Sequence, residues 1–280
     1  MAVRAMADMR NSGAGDGSLP ITIGSAVLRF WDGVRDFGAY VYSIFQSFKS
    51  LRFIRMRAIY AIVLNQTRYT GIDALPFIIV IAMLLGGVVI IQGMTNLPKF
   101  GIEGYFGNLL VIIIARELGP LVTALIVISR SGSAMATETA TQQWSKEILA
   151  LEISGIDPRL FIVIPRIAAT ILSIFSLIIF FDIVAFLGGY LISLTTIYIP
   201  LDVFFENLGT AFSLKDLAAT ILKSLVFGLL IPLVSCYYGM MPRSKFEIPI
   251  FVSRAVSRTL FFTVLLNAAI SVAFYFTWLE

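Results

Sequence analysis

Five long apolar runs constrain this chain more than any other feature. They cover residues 75–92, 108–129, 161–194, 217–241 and 255–278. A helix that crosses a bilayer needs about 20 mainly apolar residues, because its backbone polar groups find no water in the hydrocarbon core. The third run is longer than one crossing requires, so we expect it to be tilted or to begin outside the membrane. Pro165 near its start favours the second arrangement. The sequence therefore predicts an all-α integral membrane protein with five spans.

The composition narrows the chemistry open to such a protein. Charged residues make up 14% of the chain, against about 25% in soluble domains. The sequence has no histidine and a single cysteine, which excludes His-based catalytic triads, His-ligated metals and an internal disulfide. It also has no G-x-x-x-x-G-K-[ST] phosphate-binding loop. We therefore expect that the chain is not itself an enzyme and holds no metal or other cofactor.

The distribution of the 21 Lys and Arg residues orients the spans. Nine precede the first run, four lie in or beside the connection between the second and third runs, and four follow the fourth run. The connections after the first and third runs hold only Lys99 and Lys215. Positive charge marks the cytoplasmic side, so we expect a cytoplasmic N-terminus and a C-terminus outside. The basic pI of about 9.2 then follows from topology and requires no nucleic-acid partner.

The residues ahead of the first run divide into two parts. Residues 1–23 are small, polar and glycine-rich, and we expect them to be disordered. Residues 24–72 are predicted to form an amphipathic helix and a connector, because apolar side chains recur at spacings of three and four, at Val27, Phe30, Val34, Phe37, Val41, Ile44, Phe48 and Leu51. The aromatic residues favour a position in the membrane interface, although a coiled-coil seam with a partner has the same spacing.

The connection between the second and third runs is polar and carries helical signals of its own. Residues 131–134 are small and predict a turn, and helix-forming residues continue from there to Ile153. Gly155 supplies a helix stop, and Asp157 followed by a proline predicts the start of a new helix. Such an elbow is either a rigid lever on which another protein pushes or a connector that rests on lipid headgroups.

Three ionisable residues interrupt the apolar runs: Arg116 and Glu117 in the second, and Lys223 in the fourth. A charge at the bilayer centre costs a few kcal/mol, so such residues usually face a protein interior or a wet cavity. Neighbouring residues of a helix point in different directions, and Arg116 and Glu117 therefore each need a separate partner. Arg116 is suited either to a phosphate group or to an interhelical salt bridge.

Other features bear on packing. Gly119-Pro120 should interrupt the helical hydrogen bonds and kink the second span. Glycine pairs at 86–87 and 188–189 predict close contacts between helices. Asp182, near the outer end of the third run, is expected to be solvated.

The motifs around these charges resemble the MlaE (YrbE) family of ABC transporter permeases, which work with MCE proteins. They are RELGP at 116–120, SRSGSAMATETA at 129–140, ALEISGIDP at 150–158 and IPRIAA at 164–169. The resemblance extends from about residue 24 over nearly the whole chain, and it implies that residues 73–280 form an MlaE-type permease domain. It also implies a homodimer in the inner membrane of a bacterium with an outer membrane, with the C-terminus in the periplasm.

The resemblance further implies the partners and the task. Two copies would bind two MlaF-like ATPase subunits, which carry the ATP and magnesium, often together with a STAS-domain protein similar to MlaB. A hexamer of MlaD-like MCE subunits would cap the periplasmic face. The complex would move phospholipid between the inner membrane and the MCE tunnel, for outer-membrane lipid asymmetry and homeostasis. The elbow would be the coupling helix that docks on the ATPase.

The resemblance also implies the functional positions. The lipid pocket would contain Val89, Asn96, Leu97, Phe100 and Arg116, with Glu117 beside them. The residues that couple to the ATPase would be Glu138, Trp144, Glu147, Leu151, Glu152, Gly155 and Asp157. Lys223 matches a lysine of span four, but the acidic residue that some relatives have in span five is Asn267 here, so a Lys–Asp bridge cannot form. Phe100 likewise stands in place of a tyrosine, and Ser-Lys-Glu at 145–147 in place of Thr-Glu-Gln.

On this basis we predict a phospholipid permease. Acyl chains would occupy an apolar cavity built from the first two spans at the dimer interface, and Arg116 would bind the phosphate. Alternatives are an MCE-linked importer of another hydrophobic lipid such as a sterol, a non-transporting scaffold, and an ion-coupled secondary carrier that uses Arg116, Glu117 and Lys223. The lack of an inverted repeat argues against the carrier.

Overall fold

The computed structural model describes residues 31, 33, 35–44, 46, 56–101, 106–194 and 200–275, and every regular element within them is helical. The chain divides into two compact units, Met1–Ser43 and Ile44–Glu280. In the described part of the first unit the backbone is helical, and the less exposed side chains include Phe37 and Tyr40. The predicted tail at 1–23 lies outside the described residues, as do Val27, Phe30, Val34, Phe48 and Leu51.

The second unit contains eight longer helices within its described residues. In chain order they are α1 (Met56–Thr70), α2 (Leu75–Asn96), α3 (Phe106–Trp144), α4 (Glu147–Ile153), α5 (Ile164–Ser193), α6 (Leu201–Ala211), α7 (Leu214–Gly239) and α8 (Ile248–Tyr275). Five of them, α2, α3, α5, α7 and α8, are long and apolar enough to cross a membrane, which confirms the predicted five spans. Because α4 and α6 connect successive spans, they lie at opposite ends of the helices, called here the α4 end and the α6 end.

The third span begins before its regular α-helix. A π-helical turn over Arg159–Val163 precedes α5, and Pro165 lies in the first turn of α5. Proline is tolerated there because the first N–H groups of a helix have no intrahelical acceptor. The extra length of the third apolar run therefore lies at its start, next to the elbow.

α3 is a continuous helix that contains two π-helical segments, Val111–Leu118 and Ile128–Gly132. Gly119 and Pro120 follow the first segment. Proline has no N–H group for the carbonyl four residues before it. The predicted interruption of the hydrogen-bond pattern therefore takes the form of a wider helical turn, which is how single π turns enter α-helices.

The turn predicted at residues 131–134 is wrong, because α3 continues through them. Ser133 Oγ donates to the Ser129 carbonyl oxygen at 2.6 Å, which satisfies the hydroxyl within the helix. A Cβ on Gly132 would lie 3.4 Å from Ile231 and Ser235 of α7. The small residues serve close packing between helices here.

α5 is the helix against which α1, α2, α3 and α7 all pack. A Cβ on Gly86 of α2 would overlap the backbone of Ala185, and one on Gly189 would overlap the backbone of Gly86. The close helix contact predicted from the glycine pairs is therefore confirmed. Fully buried side chains such as Ile178 and Phe181 complete the core along this helix.

α6 is a helix that the hydropathy pattern does not predict. Phe204 and Leu208 are buried, and a Cβ on Gly107 of α3 would overlap the backbone of Asn207. α6 therefore covers the first turn of α3 at the α6 end.

Candidate functional site

Two ion pairs join α3 to α7 within the described residues. Arg116 Nε lies 2.7 Å from Asp216 Oδ1, and Arg116 Nη2 donates to Asp216 Oδ2 at 3.3 Å. Lys223 Nζ lies 3.6 Å from Glu117 Oε1. Asp216 and Lys223 are seven residues apart, which places them on one face of α7 two turns from each other. The prediction that Arg116 and Glu117 need separate partners is confirmed, and both partners belong to the same helix.

The two helices contribute differently to these pairs. The side chains from α7 are buried, with 2% of Asp216 and 1% of Lys223 exposed, whereas 22% of Arg116 and 39% of Glu117 is exposed. Lys223 lies nine residues beyond Leu214, or about 14 Å along the helix, which is near the middle of an apolar core about 30 Å thick. A molecule that approaches this site meets Arg116 and Glu117 first, with the opposite charges behind them.

Lys223 has a well-defined set of partners. Besides Glu117, its ammonium group donates to the Arg116 carbonyl oxygen and, at 2.8 Å, to Ser271 Oγ. The Arg116 carbonyl receives no helical hydrogen bond from residue 120, four positions later, because that residue is a proline and has no N–H group. Asn267 Nδ2 donates to Glu117 Oε2 at 2.8 Å. Lys223 therefore pairs with Glu117 of α3 and not with an acidic residue of α8, and Asn267 of α8 holds the Glu117 carboxylate from the other side.

Sequence reasoning missed Asp216. Its signal is a capping box at the start of α7, in which Ser213 Oγ accepts from the Lys215 N–H at 3.2 Å and Asp216 Oδ2 accepts from the Ser213 N–H at 2.9 Å. The same carboxylate binds Arg116. A capping box predicts the helix start from local sequence, but it does not indicate an ion pair with a residue 100 positions earlier.

An apolar cavity of about 330 Å³ lies between α2 and the start of α3. It brings together the predicted pocket residues Val89, Asn96 and Leu97 and adds Leu109 and Ile113 from α3. Arg116 and Glu117 follow Ile113 by about one helical turn, so they lie beyond the cavity toward the α4 end. The structure therefore groups three of the predicted pocket residues in a cavity and the two charged ones next to it.

The cavity continues toward α6. A second space of about 200 Å³ shares Gly93, Leu97 and Phe106 with it and adds Phe204 and Asn207 of α6. Phe100 belongs to the 3₁₀ turn Pro98–Phe100, but its side chain lies outside the described part of the chain. The contribution of Phe100 stays a prediction.

The elbow at the α4 end contains two residues with a left-handed backbone conformation, one on each side of α4. Lys146 has φ 64° and separates α3 from α4, and Gly155 has φ 75° after α4. Asp157 Oδ1 accepts from the Arg159 N–H at 3.0 Å, which caps the π turn leading into α5. The predicted helix stop at Gly155 and the predicted start at Asp157 are confirmed.

The predicted coupling residues line the surface of this elbow. A cavity of about 520 Å³ is bordered by Glu152, Gly155 and Asp157. Another, of about 260 Å³, is bordered by Glu138, Glu147 and Leu151. Trp144 is 46% exposed, and Lys245 Nζ lies 5.6 Å from the centre of its ring. Together with the 79% exposed Ile153, these residues give the elbow an apolar surface with acidic groups.

Arg166 of α5 attaches α3 to two spans at the α4 end. Its side chain is 5% exposed, and Nη2 lies 2.7 Å from Glu138 Oε2. Nη1 donates to Thr139 Oγ1 and to the Met135 carbonyl oxygen, and it lies 3.5 Å from Cys236 Sγ of α7. The arginine therefore holds the elbow arm of α3 to both α5 and α7.

Asp182 is not solvated as predicted. Its Oδ1 atom is buried without a hydrogen-bond partner among the described residues, and a Cβ on Gly119 would overlap it. The prediction was wrong because this carboxyl group faces the closely packed α3 at Gly119 and not the solvent beyond the end of the span. Gly119 is thus required for the close approach of α3 to this carboxyl group.

Comparison with known proteins identifies the family. The model of the MlaE permease family matches residues 63–273. A probable ABC transporter permease protein of Rickettsia typhi is 28% identical over 179 residues, which cover 64% of this chain and 69% of that protein. The intermembrane phospholipid transport system permease protein MlaE of Haemophilus influenzae is 26% identical over 208 residues, covering 73% and 78%.

A plant protein is also similar. The chloroplastic protein TRIGALACTOSYLDIACYLGLYCEROL 1 of Arabidopsis thaliana is 27% identical over 190 residues, which cover 68% of this chain and 54% of that protein. The region that the family model matches contains the whole of α2 to α7, including both ion pairs and the elbow. The chain, a multi-pass membrane protein with five spans, therefore belongs to the MlaE permease family.

Proposed function

We propose that this chain is the permease subunit of an ABC transporter that moves phospholipid between the inner membrane and a periplasmic MCE protein. The observation that carries the proposal is the apolar cavity between α2 and α3, which ends about one turn before the partly exposed Arg116. A phospholipid has the same order of parts, apolar chains followed by a phosphate. An arginine is the side chain best suited to bind that phosphate through parallel hydrogen bonds.

In this proposal Arg116 gains a second partner when lipid binds. Without lipid, Asp216 neutralises the guanidinium group, which removes the cost of an unpaired charge in an apolar region. When lipid enters, its phosphate takes up the exposed side of the guanidinium group while Asp216 stays behind it. The acyl chains lie along Val89 and Leu97 in the cavity.

The elbow supports the proposal that another subunit drives transport. An ATPase that binds the exposed surface around Trp144 and Ile153 would push on α4 and on the end of α3. Arg166 joins this arm to α5 and α7, and α7 carries both partners of the intramembrane charges. Movement of the arm would therefore reach the ion pairs through packed helices.

Membership of the MlaE permease family supports a proposal for the partners and the location. We propose a homodimer with two MlaF-like ATPase subunits and a hexamer of MlaD-like MCE subunits, often joined by an MlaB-like STAS-domain protein. ATP and magnesium belong to the ATPase, so this chain itself needs no cofactor. The N-terminus lies in the cytoplasm and the C-terminus in the periplasm of a bacterium whose outer-membrane lipid asymmetry the complex maintains. Residues 73–280 form the permease domain, after the tail at 1–23 and the interfacial segment at 24–72.

The test is the amount of phospholipid that co-purifies with the assembled complex. Arg116→Ala should lower the phospholipid occupancy measured by mass spectrometry, and Arg116→Lys should lower it less because the charge remains. The matched control is Arg130→Ala, which removes another partly exposed α3 arginine that is paired with an aspartate, Asp73. Equal occupancy in Arg116→Ala and Arg130→Ala would contradict the headgroup role of Arg116.

This measurement and two transport assays separate the alternatives. A sterol or another hydrophobic compound in place of phospholipid would identify a different cargo for the same machinery. Transport by this chain alone in liposomes under an ion gradient would identify a secondary carrier. Full transport by an assembled complex that carries Glu152→Lys would identify this chain as a scaffold. A lever would have to contact the ATPase through the exposed elbow surface to which Glu152 belongs.

A further inference from the structure

The ion-paired site has no net charge. Among the described residues it contains two cations, Arg116 and Lys223, and two anions, Glu117 and Asp216. A headgroup with a net charge would leave an uncompensated charge in an apolar region, which low-dielectric surroundings penalise strongly. A zwitterionic headgroup leaves the total unchanged.

The exposed half of the site is itself a pair of opposite charges. Arg116 and Glu117 are successive residues of α3 and are the more exposed member of each ion pair. A phosphate suits the guanidinium group, and an ammonium group suits the carboxylate. Glu117 pairs with Lys223 and accepts one hydrogen bond from Asn267, and a carboxylate offers about four lone-pair sites. Acceptor capacity therefore remains for a ligand.

A neighbouring carboxyl group does not favour an anionic headgroup either. Asp182 approaches α3 at Gly119, two residues beyond Glu117. It adds either no charge or a negative charge to the region, and neither state would favour an anionic headgroup.

We propose that this charge balance makes the site select zwitterionic phospholipids over anionic ones. The inference rests on the proposed function and names the headgroup class for it. Selectivity would come from the four paired side chains together, since each added or removed unit charge shifts the balance toward headgroups of the opposite sign.

The experiment uses the assembled transporter in nanodiscs that contain equal amounts of phosphatidylethanolamine and phosphatidylglycerol with the same acyl chains. The ratio of the two lipids that stay bound after extraction is measured by mass spectrometry. Wild type should be enriched in phosphatidylethanolamine. Asp216→Asn should shift the ratio about tenfold toward phosphatidylglycerol, the effect of one unit charge at roughly 10 Å with an effective dielectric constant of about 20. Asp202→Asn, the same change on the exposed surface of α6, should leave it unaltered.

A restored balance provides the stricter test. Lys223→Gln should shift the ratio away from phosphatidylglycerol, and Asp216→Asn combined with Lys223→Gln should return it to the wild-type value.

If Asp216→Asn does not fold, Glu117→Gln makes the same charge change at a more exposed position. A wild-type ratio equal to that of the nanodisc, or no shift relative to Asp202→Asn, would overturn the charge-balance inference while leaving phospholipid transport intact. Absence of phospholipid from the wild-type complex would overturn the proposed function, and this inference with it.

Discussion

Replacing Lys223 with methionine removes the ammonium group that holds α3 to α7 and α8. The variant keeps the length of the side chain but leaves Glu117 without its cation and the Arg116 carbonyl without its donor. Removing one partner of a buried ion pair costs about 3–5 kcal/mol. Glu117 is 39% exposed and keeps its bond from Asn267, so water and the amide compensate in part. We expect a loss at the lower end, about 3 kcal/mol.

The single cysteine of the chain makes this loss measurable. Cys236 is buried, so a thiol-reactive fluorogenic dye reports its exposure when the detergent-solubilised protein unfolds on heating. A loss of about 3 kcal/mol should lower the midpoint by roughly 6–12 °C, from the usual scaling for domains of this size. The control is Lys215→Met, the same change on an exposed side chain of α7, where an ion pair is worth about 1 kcal/mol or less.

A double variant separates the charge from the packing. Glu117→Gln combined with Lys223→Met should be more stable than Lys223→Met alone, because no charge is then left without its partner. Unfolding of Lys223→Met at the same temperature as Lys215→Met would contradict a stabilising role of the ammonium group. A double variant that loses the sum of the two single losses would show that Glu117 and Lys223 do not act as a pair.

Three further predictions concern single residues of α3, α5 and the elbow. Gly119→Ala should lower the unfolding midpoint, since its Cβ would overlap Asp182 Oδ1, and it should do so less in an Asp182→Ala background. Arg166→Met should cut ATP-driven lipid transfer about tenfold while ATPase binding in pull-downs persists, because it detaches the elbow arm from α5 and α7; equal transfer would contradict that role. Gly155→Ala should cost about 1 kcal/mol through its positive φ alone, because no other atom lies within 4 Å of the added Cβ. Gly155→Asn should cost less, since asparagine adopts the left-handed conformation more readily, and equal unfolding midpoints for wild type and Gly155→Ala would contradict the prediction.

The parts of the fold that sequence predicts are those set by local rules. The bilayer imposes a length on each apolar run, so the five spans follow from hydropathy. Gly155 and Asp157 are predictable because a left-handed residue and a side-chain cap act within a few positions. The family motifs also indicated the pocket residues Val89, Asn96 and Leu97, which the structure brings to one cavity.

The remaining features depend on the alignment of distant helices. Asp216 and Lys223 pair with α3 because of the register between two spans, which neither sequence segment contains. The small residues at 131–134 are equally suited to a turn and to close packing, and only the neighbouring α7 decides between them. Asp182 was wrongly expected to be solvated for a similar reason, since its burial depends on the close approach of α3 at Gly119.

The central claim is that phospholipid lies in the α2–α3 cavity with its phosphate at Arg116. A photo-crosslinking amino acid at Leu97, in the cavity, tests it when compared with one at Leu187, which is 45% exposed on α5. Both positions should capture labelled phospholipid in cell membranes, and Arg116→Ala should lower capture at Leu97 while capture at Leu187 is unchanged. Equal capture at Leu97 with and without Arg116 would contradict the account.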